Sequence, residues 1–288
     1  MWPVIHDFGI IRFLGFEFHL AIYSYGFMLV VAFYTCYALL LKEMRRLGYG
    51  DKLASDILTA AAIGGIIGSK IYYLLENYDR VVADPIGMIF SGAGLVFLGG
   101  LIGGTLGVTI VLIKNELHWL TFADIVAPLL ILGYAIGRVG CFLVGDDYGL
   151  PTRIFIGMTF ENGSPPTTYG SFTYNYPWVD LSGWDSGDLI TVYPTQIMET
   201  IIGLGIFYFL WKKRETIQVK GSLFFTYLIY AGIERFFMEF IRINPKYIWI
   251  VHPHFGLSGA QLISIIMIVV GTYFLVKPPQ GSETKPVN

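Results

Sequence analysis

The sequence predicts an all-α polytopic membrane protein with seven transmembrane helices and a small, partly β head on the outer face. Hydrophobic residues make up 55% of the 288 residues and charged residues only 14%, whereas soluble domains carry about 25% charged residues. Seven apolar stretches each approach the length of about 20 residues that a membrane-crossing helix needs. Lysine and arginine are concentrated in the connections on one side of these stretches, which is typical of membrane proteins of fixed orientation.

The predicted spans occupy residues 19–41, 56–76, 94–113, 124–144, 194–211, 221–241 and 258–276. Spans one to four therefore form the segment 19–144, and spans five to seven form the segment 194–276. Residues 1–18 precede them as an outer segment, and the aromatic stretch 8–19 is typical of an interfacial amphipathic helix. This start lacks a basic region, so we expect no cleavable signal peptide. Residues 277–288 form a Pro-rich tail that we expect to be disordered.

The distribution of lysine and arginine predicts the orientation. Eleven of these 19 residues fall in the segments 42–56, 114–123 and 212–220 and in the tail, and five fall in the segments on the other side. Because basic residues favour the cytoplasmic side, the N-terminus is predicted to be periplasmic and the C-terminus cytoplasmic. Glycines four residues apart predict close helix packing, and the pairs are Gly64/Gly68, Gly99/Gly103, Gly103/Gly107 and Gly133/Gly137.

One outer loop, residues 145–193, is long and rich in Gly, Thr, Pro and Tyr. Long ordered loops are usually functional, and strand-like runs at residues 153–160 and 171–176 predict the partly β head. The two cysteines, Cys36 and Cys141, lie in apolar segments, which argues against a disulfide framework and against a cysteine metal site. We expect no metal and no cofactor, and the net charge of −2 gives no indication of nucleic-acid binding.

Charged side chains inside the spans mark the candidate site. An arginine in hydrocarbon needs an anionic partner, a water-filled cavity or an anionic ligand. Arg235, Glu239 and Arg242 lie at positions i, i+4 and i+7 and would share one helical face. One interpretation is an internal ion-pair ladder. The other is that Arg235 and Arg138 clamp an anionic headgroup, because a guanidinium makes two parallel hydrogen bonds to phosphate. Lys70 is expected to extend to the membrane interface.

Two segments beside the spans carry further polar candidates. Asp146 and Asp147 follow the fourth span between glycines, where they would form a general base, a cation site or an ordinary turn. We expect Asp146, beside two arginines, to have a lowered pKa. Gln196 and Glu199 open the fifth span three residues apart and share a face, where they would bond to a neighbouring helix or join the site.

Several motifs occur in combination from the first span to the last. They are IYSYG at 22–26, GGLIG at 99–103, GRVGCF at 137–142 with the loop to Gly149, YPTQ at 193–196, RFFMEFIR at 235–242 and LSGAQLIS at 257–264. In this combination the sequence resembles the bacterial prolipoprotein diacylglyceryl transferases.

The resemblance implies a seven-span enzyme of the bacterial inner membrane with a periplasmic head. Such enzymes transfer the diacylglyceryl group of phosphatidylglycerol to the lipobox cysteine thiol of a preprolipoprotein signal peptide, forming a thioether and releasing glycerol phosphate. The implied partners are therefore phosphatidylglycerol, the lipobox peptide and the lipid bilayer.

The resemblance also implies residue roles. Arg138 and Arg235 would bind and neutralise the lipid phosphate, and Tyr25 would be a hydrogen-bonding residue of the site. Gly149 would give the backbone room beside the lipid. The remaining residues expected to line the substrate site or to brace Arg235 are Cys141, Gln196, Glu239 and Arg242.

The sequence departs from the family pattern at four positions. Leu98 stands where the family has His, Cys141 where it has Asn, Ala231 where it has Tyr, and Asp146 where it commonly has Glu. The missing histidine removes the obvious proton acceptor for the substrate thiol. Asp146 or Asp147 would then act as the base, or the arginines would lower the thiol pKa without one.

Three alternative functions stay open at this point. One is a divergent lipid-modifying transferase with another acceptor, and the second is a membrane transporter that uses the intramembrane charges. The absence of an internal repeat and the long outer loop argue against a transporter. The third is a lipid-binding membrane protein without catalysis, an alternative that Leu98 keeps open.

Overall fold

The protein is described by a computed structural model that covers residues 1–13, 16–90, 96–246, 248–249, 256–279 and 281–282. The helices of this part are α1 (Ser24–Arg46), α2 (Asp51–Glu76), α3 (Tyr78–Ala83), α4 (Pro85–Phe90), α5 (Phe97–Lys114), α6 (Trp119–Val144), α7 (Tyr169–Asn175), α8 (Thr195–Lys213), α9 (Ser222–Met238) and α10 (Gly259–Val276). The strands form two antiparallel pairs, β1 (Val4–Phe13) with β2 (Phe16–Tyr23) and β3 (Ile248–Trp249) with β4 (Gly256–Leu257).

Each predicted span overlaps one long helix, namely α1, α2, α5, α6, α8, α9 or α10. Four of these, α1, α2, α6 and α10, are long and apolar enough to cross a membrane, and the apolar part of α5, Leu98–Lys114, is shorter. Helix α8 has 19 residues and α9 has 17. The prediction of a helical membrane protein is confirmed. Most of the predicted tail, 277–288, lies outside the described residues.

The predicted interfacial helix at residues 8–19 is wrong, because this segment belongs to the antiparallel pair β1–β2. The pairing begins with Val4 opposite Tyr23. Valine, isoleucine and aromatic residues predominate here, and such residues favour extended backbone over helix. Because β2 continues to Tyr23, helix α1 begins at Ser24 rather than at the predicted start of the first span.

The chain divides into two compact units, Tyr37–Ile125 and the combination of Met1–Cys36 with Val126–Asn288. In the second unit, side chains from α6, α8 and α9 form a buried apolar core, to which Met267 of α10 adds a contact. The fully or nearly fully buried members of this core are Ala127, Ile131, Leu210, Leu223 and Ala231.

Helices α2 and α5 of the unit Tyr37–Ile125 approach closely at glycines. A Cβ atom on Gly68 would lie 2.8 Å from Cα of Gly103, and one on Gly107 would lie 2.5 Å from the carbonyl oxygen of Ala60. These distances exclude any side chain, so the predicted close packing is confirmed for α2 and α5. Gly137 of α6 differs, since a Cβ atom there would have no neighbour within 4 Å.

The head, residues 145–193, has its own apolar core. The ring of Tyr148 stacks between those of Phe160 and Phe172, with ring centres 5.4 and 5.8 Å apart. All three side chains are buried. Ile190, Val192 and, from beyond the head, Ile243 complete the cluster. This core anchors the loop that follows α6.

The predicted strand at residues 171–176 is wrong, because these residues belong to α7 and its C-cap. Oγ1 of Thr168 accepts a hydrogen bond from the backbone amide of Ser171 at 3.3 Å and caps the start of the helix. Phe172 and Tyr176 are four residues apart, so their rings lie on one helical face, with centres 5.3 Å apart. Burial of Phe172 in the head core therefore favours helix over strand.

The predicted strand at residues 153–160 is also wrong. Met158 forms an isolated β-bridge with Val192. The backbone amide of Gly157 donates to the carbonyl of Ile154 at 2.9 Å, which closes a tight turn just before this bridge. Such a turn interrupts a ladder, and the β structure described in the head consists of isolated bridges.

Candidate active site

The candidate site lies where three helix ends meet the head. Helix α6 ends at Val144, α8 begins at Thr195 and α9 ends at Met238. The first turn of α8 contacts the loop after α6, since Nε2 of Gln196 donates to the carbonyl of Asp146 at 2.5 Å. Polar residues that are far apart in the sequence are therefore brought together at one end of the helices.

Arg138, near the end of α6, is buried between two carboxylates. Its Nη1 lies 2.8 Å from Oδ2 of Asp147, and its Nη2 forms an ion pair with Oε2 of Glu199. Nη1 also lies 3.5 Å from Sγ of Cys141, one helical turn further on. Only 6% of Arg138 is exposed. Both terminal nitrogens are thus bound to carboxylates of the protein itself.

Arg242 is buried as well. The prediction that it shares one helical face with Arg235 and Glu239 is wrong. Helix α9 ends at Met238, and Arg242 lies beyond it in a β-bridge with Gly149. Its side chain nevertheless returns to the site, with Nη2 3.3 Å from Oδ2 of Asp147 and Nη1 3.2 Å from Oε1 of Glu199.

Arg235 is the most accessible of the three arginines. Its side chain is 30% exposed, against 8% for Arg138 and 7% for Arg242. Its ion pairs are long, 3.7 Å from Nη1 to Oε1 of Glu199 and 3.4 Å from Nη2 to Oε2 of Glu239. The guanidinium of Arg235 is therefore able to bind a further anion beside its two carboxylate partners.

Glu239 lies at the C-cap of α9 and is held from a second direction. Nδ2 of Asn244 donates to its Oε1 at 2.7 Å, while its Oε2 faces Arg235 and lies 3.7 Å from Nε of Arg242. Glu239 therefore contacts Arg235, and the bracing of Arg235 by Glu239 stays a prediction. Arg242 contributes through the carboxylates that it shares with Arg235.

The sequence left open whether Glu199 joins the site or bonds to a neighbouring helix, and it did not identify the partners of Glu199. Its carboxylate is fully buried and forms ion pairs with Arg138, Arg235 and Arg242. The available signal was its spacing of three residues from Gln196, which favoured a shared face but did not identify the partners. Together with Asp147 and Glu239, Glu199 supplies three carboxylates to the three arginines.

The backbone of the aspartate pair is fixed by the start of α8. Oγ1 of Thr195 donates to the carbonyl of Asp147 at 2.9 Å, and Gln196 binds the carbonyl of Asp146. Asp147 has a φ of +55°, in the left-handed region that non-glycine residues seldom adopt. Strained residues of this kind persist where the surroundings hold them, often in functional sites.

The pKa values of the two aspartates are shifted in opposite directions. Burial acts to raise the pKa of Asp147, but the charges of Arg242 and Arg138 hold it below the ordinary value. Burial and then the charge of Asp147 raise the pKa of Asp146 to about 6. The prediction of a lowered pKa for Asp146 is therefore wrong, because burial and the charge of Asp147 outweigh the charges of Arg138 and Arg242.

Tyr25, Cys141 and Gly149 complete the predicted set. Tyr25 packs beside the end of α6, since a Cβ atom on Gly140 would lie 3.2 Å from its Cδ2. Cys141 is buried and free. A Cβ atom on Gly149 would lie 2.5 Å from the carbonyl oxygen of Ile241. Close approach by the chain itself thus requires glycine at this position.

Unsatisfied polar atoms are concentrated in this site. Among the described residues, five buried side-chain nitrogen or oxygen atoms lack a hydrogen bond, and all five belong to residues discussed above. Buried polar atoms are normally bonded, so such a cluster is typical of a place that receives a ligand or water. The atoms are Nε of Arg138, Oδ1 of Asp146, Oε1 of Gln196, Oε2 of Glu239 and Nε of Arg242.

One further position bears on the chemistry. Leu98, which stands where the resemblance places a histidine, is exposed near the start of α5 in the unit Tyr37–Ile125. Across the described residues, no group of three or more His, Cys, Asp and Glu side chains is arranged to hold a metal ion.

Known proteins are similar to this chain over nearly its whole length. The profile of the family described as "Prolipoprotein diacylglyceryl transferase" matches residues 13–277. The chain is 35% identical over 263 residues to the phosphatidylglycerol–prolipoprotein diacylglyceryl transferase 2 of Clostridium perfringens, covering 90% of this chain and 91% of that protein.

Two further relatives carry the name phosphatidylglycerol–prolipoprotein diacylglyceryl transferase. The Chlorobaculum tepidum protein is 32% identical over 286 residues, covering 93% of this chain and 90% of the relative. The Clostridium tetani protein is 30% identical over 257 residues, covering 89% and 93%. On this profile match and these full-length similarities, the chain belongs to the prolipoprotein diacylglyceryl transferase family.

Proposed function

We propose that this transferase moves the diacylglyceryl group of phosphatidylglycerol to the lipobox cysteine thiol of preprolipoproteins, as a step of lipoprotein maturation. Membership of the family and the names of its curated relatives support the reaction and the two substrates. The observation on this chain that carries the proposal is the accessible Arg235 guanidinium in an otherwise buried cluster of ion pairs.

The lipid phosphate would bind at Arg235. A phosphodiester carries one negative charge, and a guanidinium binds phosphate oxygens through two parallel hydrogen bonds. Arg235 is partly exposed and its own ion pairs are long, so a phosphate is able to compete for it. Arg138 would add positive charge from inside the site, while Cys141, Gln196, Glu239 and Arg242 line or brace it.

The transfer itself is a displacement at carbon. The thiolate sulfur attacks the diacylglyceryl carbon that carries the phosphate ester, a C–S bond forms, and the C–O bond to the phosphate breaks. The electron pair leaves on the phosphate oxygen, so the released glycerol phosphate carries one more negative charge than the phosphodiester. Arginines placed where this charge develops stabilise the transition state.

Asp146 would accept the thiol proton. Leu98 has no group that accepts a proton, whereas a carboxyl with a pKa of about 6 is a stronger base than an ordinary aspartate. The thiol pKa is near 8.5, and the arginine charges would lower it. Oδ1 of Asp146 is buried without a hydrogen bond, which leaves it available for this proton. Tyr25, beside the end of α6, would hydrogen-bond to the substrate.

The setting that we propose is a bacterial inner membrane crossed seven times. Helices α8 and α9 would cross it together with the five more apolar helices. The outer segment (1–18) and the head (145–193) would lie on the periplasmic side, the bundle would comprise 19–144 and 194–276, and the tail (277–288) would be cytoplasmic. The basic residues between the helices support this orientation.

A direct assay tests the proposal. The full-length protein is incubated with phosphatidylglycerol and a lipobox peptide, and the peptide is weighed by mass spectrometry. We expect one diacylglyceryl group on the cysteine, and no addition to a peptide with serine in its place. Modification of another acceptor would indicate a divergent transferase. Solute transport by proteoliposomes, or lipid binding, without covalent product would contradict the proposal.

A further inference from the structure

We infer that Glu199 is a positioning residue that fixes the three arginines relative to each other, so that Arg235 alone is presented to the anionic substrate. The inference rests on the proposed function for its catalytic consequence. It concerns a residue that the resemblance did not place in the site and that no step of the proposed chemistry uses.

The geometry of Glu199 is that of a shared anchor. Its Oε2 pairs with Arg138 on α6, and its Oε1 lies 3.2 Å from Arg242 and 3.7 Å from Arg235. These arginines belong to separate segments of the chain. Asp147 contacts only Arg138 and Arg242 in the ion pairs described, and Glu239 contacts only Arg235 and Arg242. Glu199 therefore links all three.

The position of Glu199 is itself rigid. Its side chain is fully buried on the second turn of α8. On the preceding turn, Thr195 and Gln196 bind the carbonyls of Asp147 and Asp146. One short stretch of α8 therefore holds both the aspartate pair and the arginines, so it sets the distance between the proposed base and the proposed phosphate contact.

Charge explains why a carboxylate is needed here. Three guanidinium groups close together repel each other, and the three carboxylates neutralise them. Removing the charge of Glu199 leaves one excess positive charge in a buried cluster and weakens the attraction between this side chain and each arginine. The arginines would then reorient, while the net attraction of the site for an anion would increase. Loss of this charge should therefore position the arginines less well and, at the same time, make the site bind an anion more tightly.

The test compares Glu199→Gln with the parent in two measurements on the full-length protein. The first is turnover with phosphatidylglycerol and lipobox peptide, and the second is the Kd for glycerol phosphate. We expect turnover to fall about 100-fold, as for a misplaced reacting group. We expect the Kd to become about tenfold lower, because one opposing charge at a distance of ~10 Å is removed.

Two further variants make the result specific. Glu234→Gln removes another buried carboxylate, which accepts a hydrogen bond from Tyr134 at 3.2 Å; we expect its turnover within about threefold of the parent. Glu199→Asp keeps the charge but shortens the side chain by one methylene. We expect Glu199→Asp to lose turnover while its Kd for glycerol phosphate stays within about twofold of the parent value. This variant replaces Glu199→Gln in the test if Glu199→Gln does not fold.

Parent-like turnover of Glu199→Gln or of Glu199→Asp would overturn the inference. A loss of turnover in Glu199→Gln with unchanged or weaker binding of glycerol phosphate would also overturn it, since a general structural defect does not tighten anion binding. If the parent itself transfers no lipid, the proposed function fails. The lower Kd of Glu199→Gln would then still support, and an unchanged Kd would contradict, the positioning of the arginines.

Discussion

Arg138 and Arg235 carry the same charge in different surroundings. Arg138 is enclosed by Asp147 and Glu199, whereas Arg235 is 30% exposed and has longer ion pairs. A buried charge that loses its partner is costly, by about 3–5 kcal/mol. A partly exposed side chain with long ion pairs contributes much less. The two arginines should therefore differ in what their loss does to stability.

The first prediction separates these two contributions. Arg138→Lys keeps the charge but cannot reach both Asp147 and Glu199, so we expect a lower melting temperature and a loss of transfer. Arg235→Ala should lower the melting temperature less than Arg138→Lys does, while transfer falls about 100-fold or more, as when one oxyanion contact is removed. Melting in detergent and turnover on phosphatidylglycerol measure the two effects. Near-normal turnover in both variants would make the arginines purely structural.

The second prediction concerns pH. The carboxylate form of Asp146 is the proposed base and its pKa is about 6, so transfer should decline as the pH falls through 6. Asp146→Asn should be slower and should lack this acidic limb, and raising the pH toward the thiol pKa should partly restore its rate. The measurement is the rate of transfer from pH 5 to 9.

Asp147→Asn is the matched control for this pH dependence. The charge of Asp147 contributes to the raised pKa of Asp146. The acidic limb should therefore persist in this variant and shift to lower pH. An Asp146→Asn profile equal to that of the parent at every pH would remove Asp146 from the mechanism and leave the arginines to favour the thiolate.

At the scale of elements, the long helices were more predictable from sequence than the strands and the short helix α7. Runs of apolar residues identified the seven long helices, because burial in hydrocarbon and helix formation act in the same direction. The pair β1–β2 and the short helix α7 were mispredicted. In α7 the four-residue spacing of Phe172 and Tyr176 favours helix, because a helix places both rings on the head core. That core is assembled by the tertiary structure, so the local sequence does not reveal it.

The site shows the same limit. A cation in an apolar stretch is rare enough to be recognised from sequence, so Arg138 and Arg235 were predicted. Glu199 was not predicted to bind both, because its partners come from separate helices and only tertiary structure brings them together. The resemblance favoured Asp146 over Asp147 as the base, but the ion pairs that hold Asp147 to Arg138 and Arg242 become visible only in the tertiary structure.

The third prediction tests the packing of α2 against α5. Gly68→Ala would place a Cβ atom 2.8 Å from Cα of Gly103, so we expect destabilisation of about 1–3 kcal/mol. Gly65→Ala is the control on the same helix, since its Cβ atom would lie 3.7 Å from the carbonyl oxygen of Gly100. It should remain within about 1 kcal/mol of the parent. Equal stability of the two variants would contradict the close approach of these helices.

At the scale of the whole molecule, the proposed orientation rests on the distribution of basic residues. The fourth prediction is that a reporter fused after residue 288 is cytoplasmic and that one inserted near Ser164, an exposed residue of the head, is periplasmic. Activity of compartment-specific reporters measures both positions. Three predicted spans separate the two positions, so finding both reporters on one side of the membrane would contradict the seven-span arrangement.

The central claim is that Arg235 and its neighbours promote cleavage of the bond between the diacylglyceryl carbon and the phosphate oxygen. Quantifying both products of a reaction with phosphatidylglycerol and lipobox peptide tests it most directly. The account predicts thioether-modified peptide and glycerol phosphate in equal amounts, both falling about 100-fold or more in Arg235→Ala. Release of free glycerol with a phosphatidyl group on the peptide, or undiminished products from Arg235→Ala, would contradict it.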